Sequence, residues 1–391
     1  MEAVLVKKPR IAIINRSFWP IYPVIGEALL LLAEELAPFY DVSVILQDQV
    51  GIRERLLREK RGEGVRFYSI DAWSTSASGV LRRVIDAVRF MGWVLGVLLW
   101  LRPKVVYVST DPPILAPFVV AIYSKLSGAR FIYHLQDIHP EAAHVVIKVR
   151  PALFKLLKAI DGFTMRRAHK LITLTRVMAK QIVERSGAGG EVMLLENPSV
   201  PFESIALPAA KSRGFSFCGN AGRLQRIPLL IDAIDSYHSA GGSLEFAFAG
   251  GGVYAKELES LAQRNSKVTY LGKVSSREAA ELSSRYEWAI LPIEDEVTEY
   301  AFPSKTSSYV FADARIIAIC GHNTSVAEWV NFNHVGVVVP PTVDEVVQCF
   351  KRVEAGELSD LTGTSKRAEL MERLSMPRFV GVLKNQIEAI V

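Results

Sequence analysis

Cysteine is scarce in this chain. Cys218, Cys320 and Cys349 lie far apart and are odd in number. That excludes a disulfide-stapled fold and fits thiols kept as small core residues in a reducing compartment. No Gly-x-Gly-x-x-Gly follows the first strand-like run, and no Gly-x-x-x-x-Gly-Lys-Ser/Thr occurs. Dinucleotide and P-loop binding lose their usual motifs. Long apolar runs are missing as well. The most apolar stretch, Phe90–Leu101, has twelve residues, short of the ~20 that a membrane span needs. It reads as a helix buried on a sheet. With Arg89, Arg102 and Lys104 beside it, it reads equally as an interfacial helix with Trp93 and Trp100 at headgroup level. There is no nucleic-acid module and no basic stripe with interleaved aromatics, so nucleic acid is not an expected partner. Met1–Arg10 is short, basic and followed at once by the strand-like Ile11–Asn15, so no signal peptide is expected.

Acid is in short supply in one half only. Residues 1–198 carry 27 Lys and Arg against 18 Asp and Glu, whereas residues 199–391 carry 19 against 23. The net charge of +5 conceals a basic half and a slightly acidic one. A basic face suits anionic lipid or phosphorylated ligands, and each cluster taken alone is also an ordinary solvated helix face.

What is present is alternation. Short apolar strands (Arg10–Asn15, Val42–Leu46, Val65–Ile70, Val105–Ser109, Phe131–Leu135 and Leu171–Thr175) are separated by helical patterns such as Gly26–Leu36, Val80–Leu101 and Leu153–Ala168. The pattern resets at Asn197-Pro198-Ser199 and resumes after a linker expected over Pro201–Gly214. Strands covered by helices on both faces make mostly parallel sheets. The fold class is therefore α/β, with two Rossmann-like domains over residues 1–198 and 199–376 facing a cleft. A terminal helix over 377–391, entered through Pro377, is expected to pack back on the first domain. Ligands of such sheets bind beyond the carboxyl ends of the strands.

Several strand ends carry suitable chemistry. In Phe302–Lys305, Pro303 fixes a turn, Ser304 is placed to cap a helix and Lys305 adds a mobile cation. A helix start with a nearby cation suits phosphate, and an ordinary capped surface helix has the same features. In Phe215–Arg226 a strand ends at Gly219, Gly222 loosens the turn, and Arg223 and Arg226 stand ready for phosphate oxygens. A plain strand-to-helix turn remains the alternative. Gly250–Gly252 and Tyr270–Val274 end two more strands, with Lys273 either a phosphate partner or a loop lysine. In Phe131–Glu141, Asp137 and Glu141 are carboxylates around a turn forced by Pro140. His139 beside Asp137 can polarise a hydroxyl. His134, His139 and His144 are spaced by five, which does not align one helix face, so no metal site is expected.

These segments together resemble family-four glycosyltransferases with the GT-B fold. Ala301–Ala318 resembles their "PSK…EY…G.PVI" segment, Phe215–Arg226 a "G-N-x-G-x-x-Q" turn and Phe131–Glu141 a "V-Q-D-[LI]-W-P-E" segment. Ser109–Pro113, Gly250–Gly252 and Tyr270–Val274 resemble "S-x-P-P", "G.G" and "LG.V" elements, in order along nearly the whole chain. The most similar subgroup makes O-antigen, capsule and colanic-acid-type polysaccharides. The resemblance implies a donor site of Gly26, Gly219, Asn220, Arg223, Gln225, Arg226, Gly251, Lys273, Val274, Pro303, Ser304, Lys305 and Ser308. It implies Asp137, His139 and Glu141 as the catalytic, acceptor-side residues. Implied too is a retaining transfer of a hexosyl or N-acetylhexosaminyl group, without cofactor or metal, from a nucleotide-sugar to a polyprenyl-diphosphate-linked glycan. The enzyme would sit in the cytoplasm, peripheral on the anionic inner face of the membrane. Four departures stand out. The family's two glutamates fall on Tyr300 and Ser308, Asp313 replaces a glycine and Arg315 a proline. A hydroxyl binds a ribose diol less strongly than a carboxylate does. A catalytically weakened relative, acting as a partner in a polysaccharide assembly complex, is therefore the alternative.

Overall fold

The computed structural model describes residues 8–74, 78–187, 191–200, 202, 205, 208, 210–358 and 364–391. The first seven residues of the basic start, and positions 201, 203, 204, 206, 207 and 209 of the expected linker, lie outside them. The chain divides into two compact units: the stretch up to Glu196 with Pro377–Val391, and Asn197–Met376.

The first unit alternates β1 (Arg10–Ile14), α1 (Ile25–Leu36), β2 (Asp41–Asp48), α2 (Ile52–Glu59), β3 (Arg66–Asp71), α3 (Val80–Leu101), β4 (Val105–Ser109) and α4 (Leu115–Ser127). It continues with β5 (Arg130–Leu135), α5 (Glu141–Val146), α6 (Pro151–Arg167), β6 (Lys170–Thr173), α7 (Arg176–Ser186) and β7 (Val192–Leu194). The seven strands are parallel, in the order β3-β2-β1-β4-β5-β6-β7. Ile11–Ile14 and Val105–Val108 are fully buried, as central strands covered on both faces must be. The order reverses between β1 and β4, so the loops leaving those two strands diverge and open a crevice at their carboxyl ends.

The second unit runs β8 (Ser212–Cys218), α8 (Ile227–Ser239), β9 (Glu245–Ala249), α9 (Ala255–Arg264), β10 (Val268–Tyr270), α10 (Ser276–Arg285) and β11 (Tyr286–Pro292). A single 3-10 turn (Asp295–Glu299) leads to α11 (Lys305–Phe311), β12 (Arg315–Ile319), α12 (Ser325–Asn333), β13 (Gly336–Val339), α13 (Val343–Glu354) and α14 (Thr364–Arg373). Its sheet is again parallel, ordered β10-β9-β8-β11-β12-β13, with the reversal between β8 and β11. Phe215, Phe246 and Phe350 cluster at its centre, with ring centroids 4.7–5.0 Å apart, Phe215 stacked on Phe246 and Phe350 edge-on to Phe246. The last helix, α15 (Met376–Glu388), belongs to the first unit from Pro377 onward. Phe379 lies on the His134 ring, and Lys384 pairs with Glu35 at 3.5 Å.

One expectation changes. The helix expected over Val80–Leu101 forms with those bounds as α3, 22 residues long, but the apolar stretch does not stop at Phe90–Leu101: Leu81–Leu101 is long and apolar enough to cross a membrane by length and composition. Arg82, Arg83 and Asp86 mask this in a residue-by-residue reading. In the helix, Asp86 turns inward to accept from Gln47 and Ser74.

Candidate active site

In the second unit the chemistry gathers where the sheet order predicts, beyond β8 and β11. The strand-end loops are locked backbone to backbone. Gly219 N–H donates to the Ala249 carbonyl (2.9 Å), Ala221 N–H to Gly251 (2.6 Å) and Gly250 N–H to Gly272 (2.7 Å). Such close approach requires glycine at two points. At Gly250 (φ +131°) a Cβ would stand 1.8 Å from the Gly219 carbonyl oxygen, and at Gly252 (φ +141°) 2.3 Å from that of Ala221. Gln225 braces the turn by accepting from Gly222 N–H at 3.1 Å, so its side chain shapes the loop. Val274 packs on the small cluster of Cys218, Ala247, Ala249 and Leu282. The Lys273 stem crosses Gly251, and its ammonium has no partner among the described residues. Asn220 and Arg223 are exposed beside it.

Lys305 overturns the expectation of a mobile surface cation. Its Nζ is shielded from solvent and has no hydrogen-bond partner among the described residues. It lies 4.2 Å from the centre of the Phe217 ring and against Gly219, where a Cβ would come within 3.0 Å. Burial pulls its pKa down to about 8, with the neighbouring Cys218 opposing. An ammonium in such a place normally acquires an anion. Ser304, expected to cap, makes no side-chain cap, and α11 has only seven residues. Thr306 closes the turn instead, donating to the Pro303 carbonyl at 2.9 Å. Ser308 stands one turn after Lys305, on the same face of α11.

Arg226 is likewise reassigned. Its guanidinium contacts Glu294 and Asp295, each at 3.0 Å, and the Ile293 carbonyl at 2.7 Å. Asp295 also accepts from Gly321 N–H at 2.9 Å. Two carboxylates already neutralise this arginine, and its role is to tie the β8 loop to the β11 and β12 loops. The two acidic partners lie about 70 residues away in sequence, beyond the reach of any local motif.

In the first unit the loops after β1, β4 and β5 converge. Asp111 accepts from Arg16 Nε (3.1 Å) and Ser17 N–H (2.7 Å). Thr110 Oγ1 accepts from Gln136 N–H at 3.2 Å. Burial raises the Asp137 carboxyl to about 6, and the Asp111 charge adds to the rise. Tyr22 feels both carboxylates, and burial raises its phenol first. His139 moves the other way, down to about 4. Burial is the main cause, Glu141 opposes and Arg185 adds, so the imidazole is neutral near pH 7. His134 is fully buried between Tyr107 Oη (2.7 Å) and Gln136 Nε2 (3.0 Å).

Glu141 does not join this group as a free carboxylate. It holds Lys158 at 3.1 Å and Arg185 at 2.5 Å. Arg185 also grips Asp161, which accepts from Tyr133 Oη at 2.8 Å. Glu141 is therefore structural, tying the start of α5 to α6 and α7. Gly26 is spent on packing too. A Cβ there would meet Trp19 N at 2.6 Å, so its open side is filled by the β1 loop.

Residues 25–198 match the family described as "Glycosyl transferase 4-like domain". Over 309 residues the chain is 23% identical to the probable glycosyltransferase WbjE of Pseudomonas aeruginosa, covering 72% of this chain and 75% of that protein. Residues 25–198 thus form a glycosyltransferase 4-like domain, within a glycosyltransferase of the GT-B type. Solved structures share its fold. The glycosyltransferase from Rickettsia africae ESF-5 matches with a TM-score of 0.66 at 12% identity over 98% of each chain. The lipopolysaccharide outer core galactosyltransferase WaaB matches with 0.60 at 15% identity, over 98% of this chain and 100% of that one. Within this glycosyltransferase, motif reading missed Tyr22 and Asp111 as neighbours of Asp137. Asp111 sits in the Pro-stiffened loop after β4, and that loop is the one local signal that pointed to it.

Proposed function

We propose that the enzyme moves a hexosyl or N-acetylhexosaminyl group from a nucleotide-sugar to a polyprenyl-diphosphate-linked glycan, with retention of configuration. It would act at the cytoplasmic face of a bacterial membrane in surface polysaccharide assembly. The observation that carries the donor side is the buried, unpartnered ammonium of Lys305 beside the glycine-locked loops. A diphosphate there gives Lys305 the anion it lacks, and exposed Arg223 and Lys273 add charge from the rim. In the proposed step an acceptor hydroxyl oxygen bonds to the anomeric carbon on the face that the diphosphate leaves. The sugar–phosphate C–O bond breaks, and the hydroxyl proton passes to the departing phosphate oxygen. Stabilising the charge that develops on this leaving group is the protein's main task. No metal is assigned to it. Ser308 takes the ribose through a neutral hydrogen bond. On the acceptor side, Asp137 accepts from the acceptor hydroxyl and neutral His139 orients it. WbjE and WaaB, as relatives tied by name to glycosyl transfer, support the class of reaction.

The test is titration calorimetry with UDP, GDP and TDP near pH 8, in two buffers of different ionisation enthalpy. Binding at Lys305 raises its pKa, so one nucleotide should bind with net proton uptake. If none binds to folded protein, the donor site fails and the non-catalytic partner reading takes its place.

A pH profile checks the acceptor side. With the Asp137 carboxyl at about 6, kcat/KM should fall as pH drops through 6, because only the ionised carboxylate accepts the hydrogen bond that positions the acceptor hydroxyl. Asp137→Asn should lower kcat about 10²-fold and remove that limb. A limb left unchanged in the variant would assign it to another group.

A further inference from the structure

We infer that α3 lies in the plane of an anionic bilayer surface, its outward stripe in the acyl boundary and the basic residues at its two ends on lipid phosphates. This deepens the reading of a membrane-peripheral enzyme by naming the surface, and it rests on that reading only for the identity of the acceptor. Only 33% of the apolar window of the helix is buried, whereas a core helix would be mostly covered. Leu81 is 74% exposed and Trp100 70%, and Val84, Ile85, Val88 and Leu99 are half-exposed between them. Their spacing of three, four and seven puts Leu81, Val84, Ile85 and Val88 on one face. Gly92 and Gly96 continue that face, and a Cβ on either would meet nothing within 4 Å. The stripe is thus unbroken for about 27 Å.

The other face forbids crossing the bilayer. Phe90, Val94 and Leu98 are fully buried on the unit's own sheet side, and Asp86 is bonded to Gln47 at 3.0 Å. Extracting α3 to span a membrane would strand that carboxylate and unpack those side chains, whereas lying flat costs neither.

Charge selects the occupant. Asp86, the one acid of the helix, points inward. Arg82 and Arg83 are exposed at the start, without a partner among the described residues. At the far end Arg102, Lys104 and Arg130 line a hollow of about 750 Å³ walled by Leu99, Tyr123 and Leu126. Phosphate chemistry at both ends of an apolar stripe fits anionic lipid. A second copy of the chain is disfavoured, because pairing two such helices in either direction sets arginines against basic ends, with no outward acid in either helix.

The test is flotation of the full chain with large unilamellar vesicles of phosphatidylglycerol and phosphatidylcholine, against phosphatidylcholine alone. Brominated acyl chains serve as quenchers of tryptophan fluorescence. The wild type should float with the anionic vesicles at least tenfold better, with quenching. The triple variant V84Q/I85Q/V88Q and the charge variant R102E/K104E should each lose at least tenfold, with unchanged circular dichroism and unchanged nucleotide affinity. Equal flotation of wild type and both variants, no flotation of the wild type, or a stripe-dependent dimer in place of flotation would each overturn the inference. Vesicle binding without nucleotide binding would instead sink the transferase reading and leave this one standing.

Discussion

Lys305→Met should lower the affinity for the nucleotide donor about 10²-fold, roughly 2–3 kcal/mol, the scale of a charge-assisted hydrogen bond. The same change should make the free protein more stable. Both effects come from one fact: the Lys305 ammonium is buried without a hydrogen-bond partner among the described residues. Its pKa, pulled down to about 8 by burial, measures the penalty. A depression of two to three units corresponds to roughly 3 kcal/mol between the charged and neutral forms. Methionine keeps the length and loses the charge, so the free variant should gain about 1–3 kcal/mol at pH 7 in a denaturant titration. The pH dependence gives the sign. Below about 8 the lysine is charged in both folded and unfolded chains, and the penalty is fully present. Between about 8 and its ordinary value of 10.5, the unfolded chain holds the proton that the folded chain has released, so wild-type stability rises with pH. The variant lacks this rise, and the two stability curves should converge as the pH approaches 10. A variant that is less stable at pH 7 and still binds nucleotide would show that the ammonium serves packing, not a ligand.

Arg185→Leu should destabilise the first unit by about 3–5 kcal/mol, the usual cost of removing one member of a buried ion cluster. Arg185 and its two carboxylate partners, Glu141 and Asp161, have side chains less than a tenth exposed. Even with the arginine present, burial holds the Asp161 carboxyl up at about 6, outweighing the guanidinium's pull downward. Without it, Asp161 is pushed further towards its neutral form. The folded variant then binds more protons than its unfolded chain near neutral pH, so its stability falls as pH rises and partly recovers towards pH 5. Asp161→Asn added to Arg185→Leu should restore part of the loss, because it removes one stranded charge. Hydrogen exchange should show the effect in α5, α6 and α7. Since Glu141 opens α5 directly after the His139–Pro140 turn, activity should fall with order there. Stability unchanged within 1 kcal/mol would mean that water has taken over the pairing.

The fate of individual residues shows where sequence reading succeeds. Strands such as Ile11–Ile14 and Val105–Ser109 were legible because a parallel strand buried on both faces must be apolar throughout, a rule that acts within five residues. The glycines at 219, 250 and 252 were legible for the same reason: backbone approaching backbone leaves a local mark. Arg226 and Glu141 were misread, because the same side chains serve a phosphate or an ion pair, and the choice depends on partners brought in by the fold. The bounds of α3 were legible but its apolar length was not, since Arg82, Arg83, Asp86 and Arg89 look disqualifying until the helix decides which way each one points.

By itself, then, the sequence determined the alternation of strands and helices, the two parallel sheets and the glycine-bearing strand ends. These follow from periodicity and backbone sterics, which act over a few residues. Only the tertiary structure decided which charges are free. It buried Lys305 without an anion, neutralised Arg226 with Glu294 and Asp295, locked Glu141 to Arg185, and turned one face of α3 outward. Whether a charge is free depends on its distance from others and on the water left around it, and folding sets both through contacts between residues far apart in the chain.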